Sequence, residues 1–158
     1  MLQSFYPGER SATAYGIDYR EWYRKGKRAL LFDIDNTLVP HGAPADERAI
    51  ALFRELHDMG YRTCLISNNR EPRVKSFADE VGAQYLWKAG KPSPRGYEAA
   101  CAMMKVKPEQ TLFIGDQLFT DIFGGNRSGL TTILVKPIDP SIEPPFVRFK
   151  RFFERPFL

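Results

Sequence analysis

FDIDNTLV, residues 32–39, decides the fold class, because two aspartates, Asp33 and Asp35, stand directly after the apolar run ALLF at 29–32. A short apolar run that ends at charged residues is typical of a buried strand in a parallel sheet. Similar runs lie at 61–66, 84–87, 111–114 and 131–135, with apolar residues at helical spacing between them. Strands that alternate with helices form right-handed βαβ units. The sequence therefore predicts an α/β fold, a Rossmann-like three-layer sandwich with a five-stranded parallel sheet.

Length and composition indicate one folded unit. The chain has 158 residues, of which 43% are hydrophobic and 13% aromatic, enough for a sizeable core. We expect a basic N-terminal segment over 1–28, a catalytic core over 29–136, and a Pro-rich, basic-aromatic C-terminal tail over 137–158. The formal net charge is +4, and positive charge concentrates in 20–28 and 146–158. Basic ends around a more acidic core would suit an anionic partner.

Several classes of protein are disfavoured by the same pattern. The sequence has no apolar run long enough to span a bilayer, and its first residues do not resemble a secretory signal. The two cysteines, Cys64 and Cys101, have no CxxC neighbour, which favours reduced thiols in a core. We expect a cytoplasmic protein, with peripheral contact to the inner face of a membrane as a further option.

Polar residues follow four of the predicted strands. Asp33 and Asp35 follow the first, Ser67 and Asn68 the second, Lys91 the third, and Asp116 and Asp121 the fourth. Ligands of such sheets bind outside the carboxyl ends of the strands. The sequence therefore predicts one site built from these side chains.

These residue types suit phosphoryl transfer through a covalent intermediate. Asp33 is predicted to attack phosphorus and form an aspartyl-phosphate, and Asp35 to act as general acid and then general base. A dianionic phosphate repels a carboxylate, so a cation is needed, and carboxylate oxygens favour Mg²⁺. The predicted metal ligands are Asp33, Asp116 and the backbone carbonyl of Asp35. Asp121 is either a further metal-side carboxylate or a residue on a helix surface.

The remaining site residues are predicted to contact the phosphate or to support the loop. Ser67 and the backbone N–H of Asn68 would bind phosphate oxygens. Lys91 would neutralise charge on both Asp33 and the phosphoryl group. Thr37 is grouped with the predicted substrate-binding residues; it is predicted to orient the catalytic loop by hydrogen bonding and need not touch the substrate.

The stretches FDIDNTLV, ISNN, KPSP and GDQLFTD together resemble the four motifs of the haloacid dehalogenase (HAD) superfamily of phosphatases. DIDNTLVP, SNN, KP and GDQLFTDIFGGNRSGLTTILVKP are similar to its IIIA-type, YqeG-like branch, which includes mitochondrial phosphatidylglycerophosphate phosphatases. The resemblance implies a Mg²⁺-dependent phosphomonoester hydrolase. It further implies a phospholipid head group, phosphatidylglycerophosphate, as substrate.

Motif spacing bears on access to the site. Only 32 residues separate Asp35 from Ser67, and 24 separate Ser67 from Lys91. Neither interval holds a cap domain, so we expect an open site that suits a bulky or surface-held substrate. A soluble sugar or nucleotide phosphate is an alternative substrate. The other alternative is an RNA- or ribosome-associated binding protein with a vestigial site.

The tail carries a helical pattern of its own. Phe146, Phe149 and Phe153 share one face, and Arg148, Arg151 and Arg155 share another. Such a helix could lie in the interface of an anionic membrane. The alternative is that the phenylalanines pack on the core or on a second copy while the arginines remain in solvent.

Overall fold

A parallel six-stranded sheet forms the centre of the computed structural model, which describes residues 2–158. The strand order is β1-β6-β5-β2-β3-β4, and every neighbouring pair is parallel. The strands are β1 (Glu9–Ser11), β2 (Ala29–Phe32), β3 (Arg62–Ile66), β4 (Gln84–Leu86), β5 (Thr111–Gly115) and β6 (Thr131–Val135). The α/β class is confirmed. The predicted number of five strands was wrong, because the edge strand β1 comes from the N-terminal segment.

The helices lie between the strands and after the last one. They are α1 (Tyr19–Arg24), α2 (Glu47–Met59), α3 (Glu71–Val81), α4 (Pro94–Met104), α5 (Phe123–Arg127) and α6 (Pro145–Glu154). In α2 the Asp46 side chain accepts from the Ala49 backbone N–H and begins the helix. Gly60, at φ 103°, ends it in the left-handed conformation that glycine adopts at little cost.

Alternate residues of the central strand β2 face two separate cores. Leu30 and Phe32 pack with the apolar stripes of α2 and α3 on one side of the sheet. Ala29 and Leu31 pack with Tyr97 of α4 on the other. The predicted three-layer sandwich is confirmed. Among residues 2–158 no cap domain interrupts the intervals between the motifs.

The last helix, α6, packs on the turn that follows β5. Val147 and Glu154 are buried, and a Glu154 carboxylate oxygen accepts from the Phe119 backbone N–H at 3.0 Å. The division at residues 28 and 136 stays a prediction, although β1 and α6 both contact the core. None of the helices formed by residues 2–158 combines the length and apolar composition that crossing a membrane requires.

Candidate active site

Loops after β2, β3, β4 and β5 meet at the carboxyl edge of the sheet. The backbone N–H of Asp33 donates to the Ile114 carbonyl at 3.0 Å, which extends the pairing of β2 and β5 by one residue. Asp116 leaves the neighbouring strand β5 at the same level. The adjacent strands thus bring two carboxylates together that lie far apart in the sequence.

Three buried carboxylates form a cluster at this edge. Asp33, Asp116 and Asp121 each offer an oxygen within 4.8 Å of the others. The Thr37 hydroxyl lies 2.9 Å from an Asp116 oxygen and 3.3 Å from an Asp33 oxygen, so it can orient both side chains. Asp121 is fully buried, so of its two predicted placements the structure shows the one inside the site.

Lys91 balances the charge of two members of this cluster. Its Nζ donates to Asp33 at 2.9 Å and to Asp121 at 2.8 Å. The Asn68 side chain holds the Lys91 backbone through two hydrogen bonds, accepting from its N–H at 2.8 Å and donating to its carbonyl at 3.2 Å. Asn68 therefore positions Lys91, a role that the sequence did not suggest.

Burial and mutual repulsion shift the titration of the cluster. Burial raises the pKa of Asp121 to about 6, with repulsion from Asp33 adding to it and Lys91 opposing it. Burial and the neighbouring Asp33 and Asp121 also raise the pKa of Asp116 well above its ordinary value. Burial alone would lower the pKa of Lys91, but attraction to Asp121 and Asp33 outweighs it and leaves that pKa raised. Lys91 is therefore charged at neutral pH.

The donor set of the cluster fits a magnesium ion. Its three side chains offer carboxylate oxygens, which Mg²⁺ prefers, whereas Zn²⁺ usually takes nitrogen or sulfur ligands. Burial and, after it, mutual repulsion raise the pKa values of Asp116 and Asp121, and a divalent cation would relieve the repulsion. The Asp35 side chain is not part of this cluster, and its predicted metal contact through the backbone carbonyl stays a prediction.

A cavity of about 340 Å³ opens above the cluster. Its lining includes Asp33, Asp35, Ser67, Asn68 and Lys91. The Ser67 hydroxyl accepts from the Asn69 backbone N–H at 3.0 Å, which fixes the oxygen beside the cavity. The predicted substrate-binding side chains are thus brought to one surface, except for Thr37, which lies beneath it among the carboxylates.

Asp35 faces a cation that the sequence analysis missed. One Asp35 oxygen accepts from Arg73 at 2.9 Å and from the Gly42 backbone N–H at 2.8 Å. Burial alone would raise the pKa of Asp35, but the Gly42 hydrogen bond and the Arg73 charge outweigh it and lower that pKa. Asp35 is ionised at neutral pH in this arrangement, which suits the general base. A buried carboxylate needs a hydrogen-bonding or charged partner. This requirement could have predicted a cation beside Asp35, although it does not single out Arg73.

Arg151 of α6 was also missed. Its guanidinium contacts an Asp116 side-chain oxygen, donates to the Asp116 carbonyl at 3.1 Å, and pairs with Glu143. The predicted tail placed this arginine on the solvent or membrane side. The structure instead turns Arg151 inward and leaves Phe146 and its neighbouring phenylalanines exposed.

A family profile described as haloacid dehalogenase-like hydrolase matches residues 42–129, more than half of the chain. The chain belongs to this family. The prediction of a HAD-type phosphatase is confirmed by its relatives as well. "Probable phosphatase YqeG" of Bacillus subtilis is 38% identical over 160 residues, covering 100% of this chain and 92% of the relative.

Two further comparisons extend the family assignment. Phosphatidylglycerophosphate phosphatase 1 of Arabidopsis thaliana, chloroplastic/mitochondrial, is 29% identical over 87% of this chain, which spans 42% of the plant protein. A solved HAD family hydrolase from Streptomyces avermitilis superposes with a TM-score of 0.58 at 16% identity, covering 80% of this chain and 78% of that one. The latter similarity supports the HAD fold.

Proposed function

We propose that this HAD family member is a Mg²⁺-dependent phosphomonoester hydrolase that works through an aspartyl-phosphate on Asp33. The observation that supports this most directly is the buried cluster of Asp33, Lys91, Asp116 and Asp121, of which Asp33 and Lys91 line an open cavity. A binding surface has no use for three repelling buried carboxylates, which cost free energy. This reasoning disfavours the vestigial RNA- or ribosome-binding alternative.

The first half of the reaction transfers the phosphoryl group to the protein. A free oxygen lone pair of Asp33 attacks phosphorus, a P–O bond forms, and the bond to the leaving alkoxide breaks. Lys91 lies against Asp33 and offsets the negative charge that gathers there. The Ser67 hydroxyl and the Asn68 N–H bind phosphate oxygens. Asp35, once it has taken up a proton from solvent, gives that proton to the departing oxygen.

The second half releases phosphate. Asp35, now a carboxylate, takes a proton from a water molecule, and the water oxygen attacks phosphorus as the bond to Asp33 breaks. The contact with Arg73 favours this basic form. As placed, Asp35 is held in its ionised form, which the second step needs and the first step does not, so the first step requires a substrate that weakens the Arg73 contact.

Magnesium would be held by Asp33, Asp116 and the Asp35 carbonyl. Asp121 would be the weaker ligand, because it lies in the helical turn beyond β5, whereas Asp116 directly follows that strand beside Asp33. When bound, the ion would screen the repulsion between the Asp33 carboxylate and a dianionic phosphate.

For the substrate we propose the head group of phosphatidylglycerophosphate. The similarity to the plant enzyme supports this, as does a 33% identical relative in Chlamydomonas reinhardtii that bears the same name. The cavity supports it as well, because no cap domain formed by residues 2–158 closes it and Phe146 of α6 is part of its lining. Soluble sugar and nucleotide phosphates remain the alternative substrates.

The decisive experiment compares Asp33→Asn with Asp58→Asn, the same change at an exposed position of α2. We expect Asp33→Asn to lose at least about 10³-fold in kcat, and the control to be unaffected. Acid quenching with radiolabelled substrate should leave label on the wild-type chain and none on Asp33→Asn. Activity of Asp33→Asn within tenfold of wild type would contradict the assignment.

The substrate is tested by kcat/KM over a panel. The panel contains phosphatidylglycerophosphate in mixed micelles, phosphatidic acid, glycerol 3-phosphate, a hexose phosphate and a nucleoside monophosphate. We expect kcat/KM for phosphatidylglycerophosphate to exceed that for every other member of the panel by at least about tenfold. Equal or better turnover of a soluble member would replace the lipid with that class of substrate and leave the role of Asp33 intact.

A further inference from the structure

The outward side of α6 is an aromatic face formed by Phe146, Phe149, Phe152 and Phe153. These side chains are 63%, 67%, 62% and 50% exposed. Edge-on contacts join Phe153 to Phe149 and to Phe152, with ring centroids 5.0 and 5.5 Å apart. A contiguous aromatic patch on one helix is a feature of interaction surfaces, whereas single exposed apolar residues are ordinary.

Cations border this aromatic face on both sides. Arg148 is exposed, Lys150 lies 5.6 Å from the Phe146 ring centroid, and Arg155 lies 5.7 Å from that of Phe152. The one acidic residue between 144 and 158, Glu154, is buried against the turn after β5. The exposed side of α6 therefore presents aromatic rings and positive charge without acidic side chains.

We propose that the aromatic face docks this protein onto an anionic lipid bilayer, with α6 lying in the plane of the interface. Phenyl rings enter the boundary between head groups and acyl chains, while cations at the sides meet lipid phosphates. A second copy of this chain suits the face less well. Two such faces would bring bordering cations together without acidic partners.

The docked orientation would place the active site beside the membrane. Phe146, which belongs to the aromatic face, and Lys150, which borders it, also line the cavity above Asp33. The inner side of the same helix is fixed to the site through Arg151 and Asp116. This inference rests on the proposed function in that docking serves a lipid substrate, whose head group would reach Asp33 without leaving the bilayer.

Vesicle co-sedimentation tests the docking. The vesicles are phosphatidylcholine alone, or phosphatidylcholine with three parts in ten of phosphatidylglycerol. The variant Phe149→Gln/Phe152→Gln removes two rings that lie outside the cavity lining, and Gln keeps helix propensity. Met103→Gln changes an apolar side chain, 39% exposed, on α4 and serves as the matched control.

We expect the full chain to bind the anionic vesicles, and the partition coefficient to fall at least about tenfold in the double variant. Raising the salt concentration should also weaken binding, because bordering cations contribute to it. Met103→Gln should bind like wild type. Hydrolysis of a small soluble monoester should stay within about twofold in both variants, which shows that the site is intact.

Any one of three results would overturn the proposal. The first is that the full chain fails to sediment with anionic vesicles, and the second is that the double variant binds them as tightly as wild type. The third is that Met103→Gln loses as much binding as the double variant. A concentration-dependent dimer that the double variant abolishes, without vesicle binding, would assign the face to a second copy. If wild type binds vesicles yet hydrolyses no monoester, the proposed function fails and the docking stands.

Discussion

Replacing Lys91 with Met tests the electrostatic balance of the site most sharply. The side chain is 5% exposed and forms ion pairs with Asp33 and Asp121, which are 8% and 0% exposed. Removing one partner from a buried ion pair costs about 3–5 kcal/mol, because the remaining charge is left uncompensated. Protonation of Asp121 limits this loss, so we expect about 3 kcal/mol at pH 8.

The loss of folding stability in Lys91→Met should be larger at high pH than at low pH. Burial and repulsion already raise the pKa of Asp121 to about 6 with Lys91 present, and removing the cation raises it further. A carboxyl whose pKa is raised on folding contributes stability below its ordinary pKa, and this contribution disappears as the pH rises through the folded value. Lys91→Met should therefore be destabilised more at pH 8 than at pH 5.

The assay is thermal and urea unfolding in a chelating buffer. A loss of 3 kcal/mol lowers Tm by about 6–12 °C in a domain of this size. Lys75→Met is the matched control, because Lys75 pairs with Asp79 at 2.7 Å on the exposed surface of α3, where solvent screens the charges. Lys91→Arg, which keeps a cation, should recover part of the stability. Equal losses for Lys91→Met and Lys75→Met, or a loss independent of pH, would refute the reasoning.

Two further predictions concern the metal and Asp35. Magnesium should raise the Tm of chelator-treated protein at pH 7.5 and much less at pH 5, because protons compete for Asp116 and Asp121, whose pKa values are raised. Asp116→Asn should reduce this gain more than Asp121→Asn, and the opposite order would reassign the ligands. Arg73→Gln should move the pH-rate limb that reports Asp35 to higher pH, since the pKa of Asp35 is now lowered by Gly42 and Arg73. An unmoved limb in that profile would show that Arg73 does not tune Asp35.

Strands that carry the site were predictable because each is an apolar run that ends at a polar residue. Asp33 after β2 and Asp116 after β5 followed from this pattern alone, once parallel strands placed their carboxyl ends at one edge. Strand β1 gave no such signal. Its three residues are exposed or half-buried, and its place at the sheet edge depends on backbone pairing with β6.

The cations that complete the site were harder to predict. Arg73 and Arg151 lie 38 and 35 residues away from the carboxylates that they contact. A charged residue on an amphipathic helix looks the same in sequence whether it faces water or a buried carboxylate. The choice depends on how α3 and α6 cross the sheet edge, which hydrophobic periodicity does not specify.

The pairing of β1 with β6 has a consequence for synthesis of the chain. Gly8, just before β1, donates to the Thr132 hydroxyl, 124 residues further on. A ribosome therefore releases β1 long before its partner strand exists, and β1 must wait unpaired while the strands from β2 to β5 emerge. Asp116 likewise lacks its Arg151 partner until 35 further residues have been synthesised. The carboxyl edge of the sheet is thus completed only after α6 has been synthesised, and translation that stalls before α6 yields a sheet with an unfinished site.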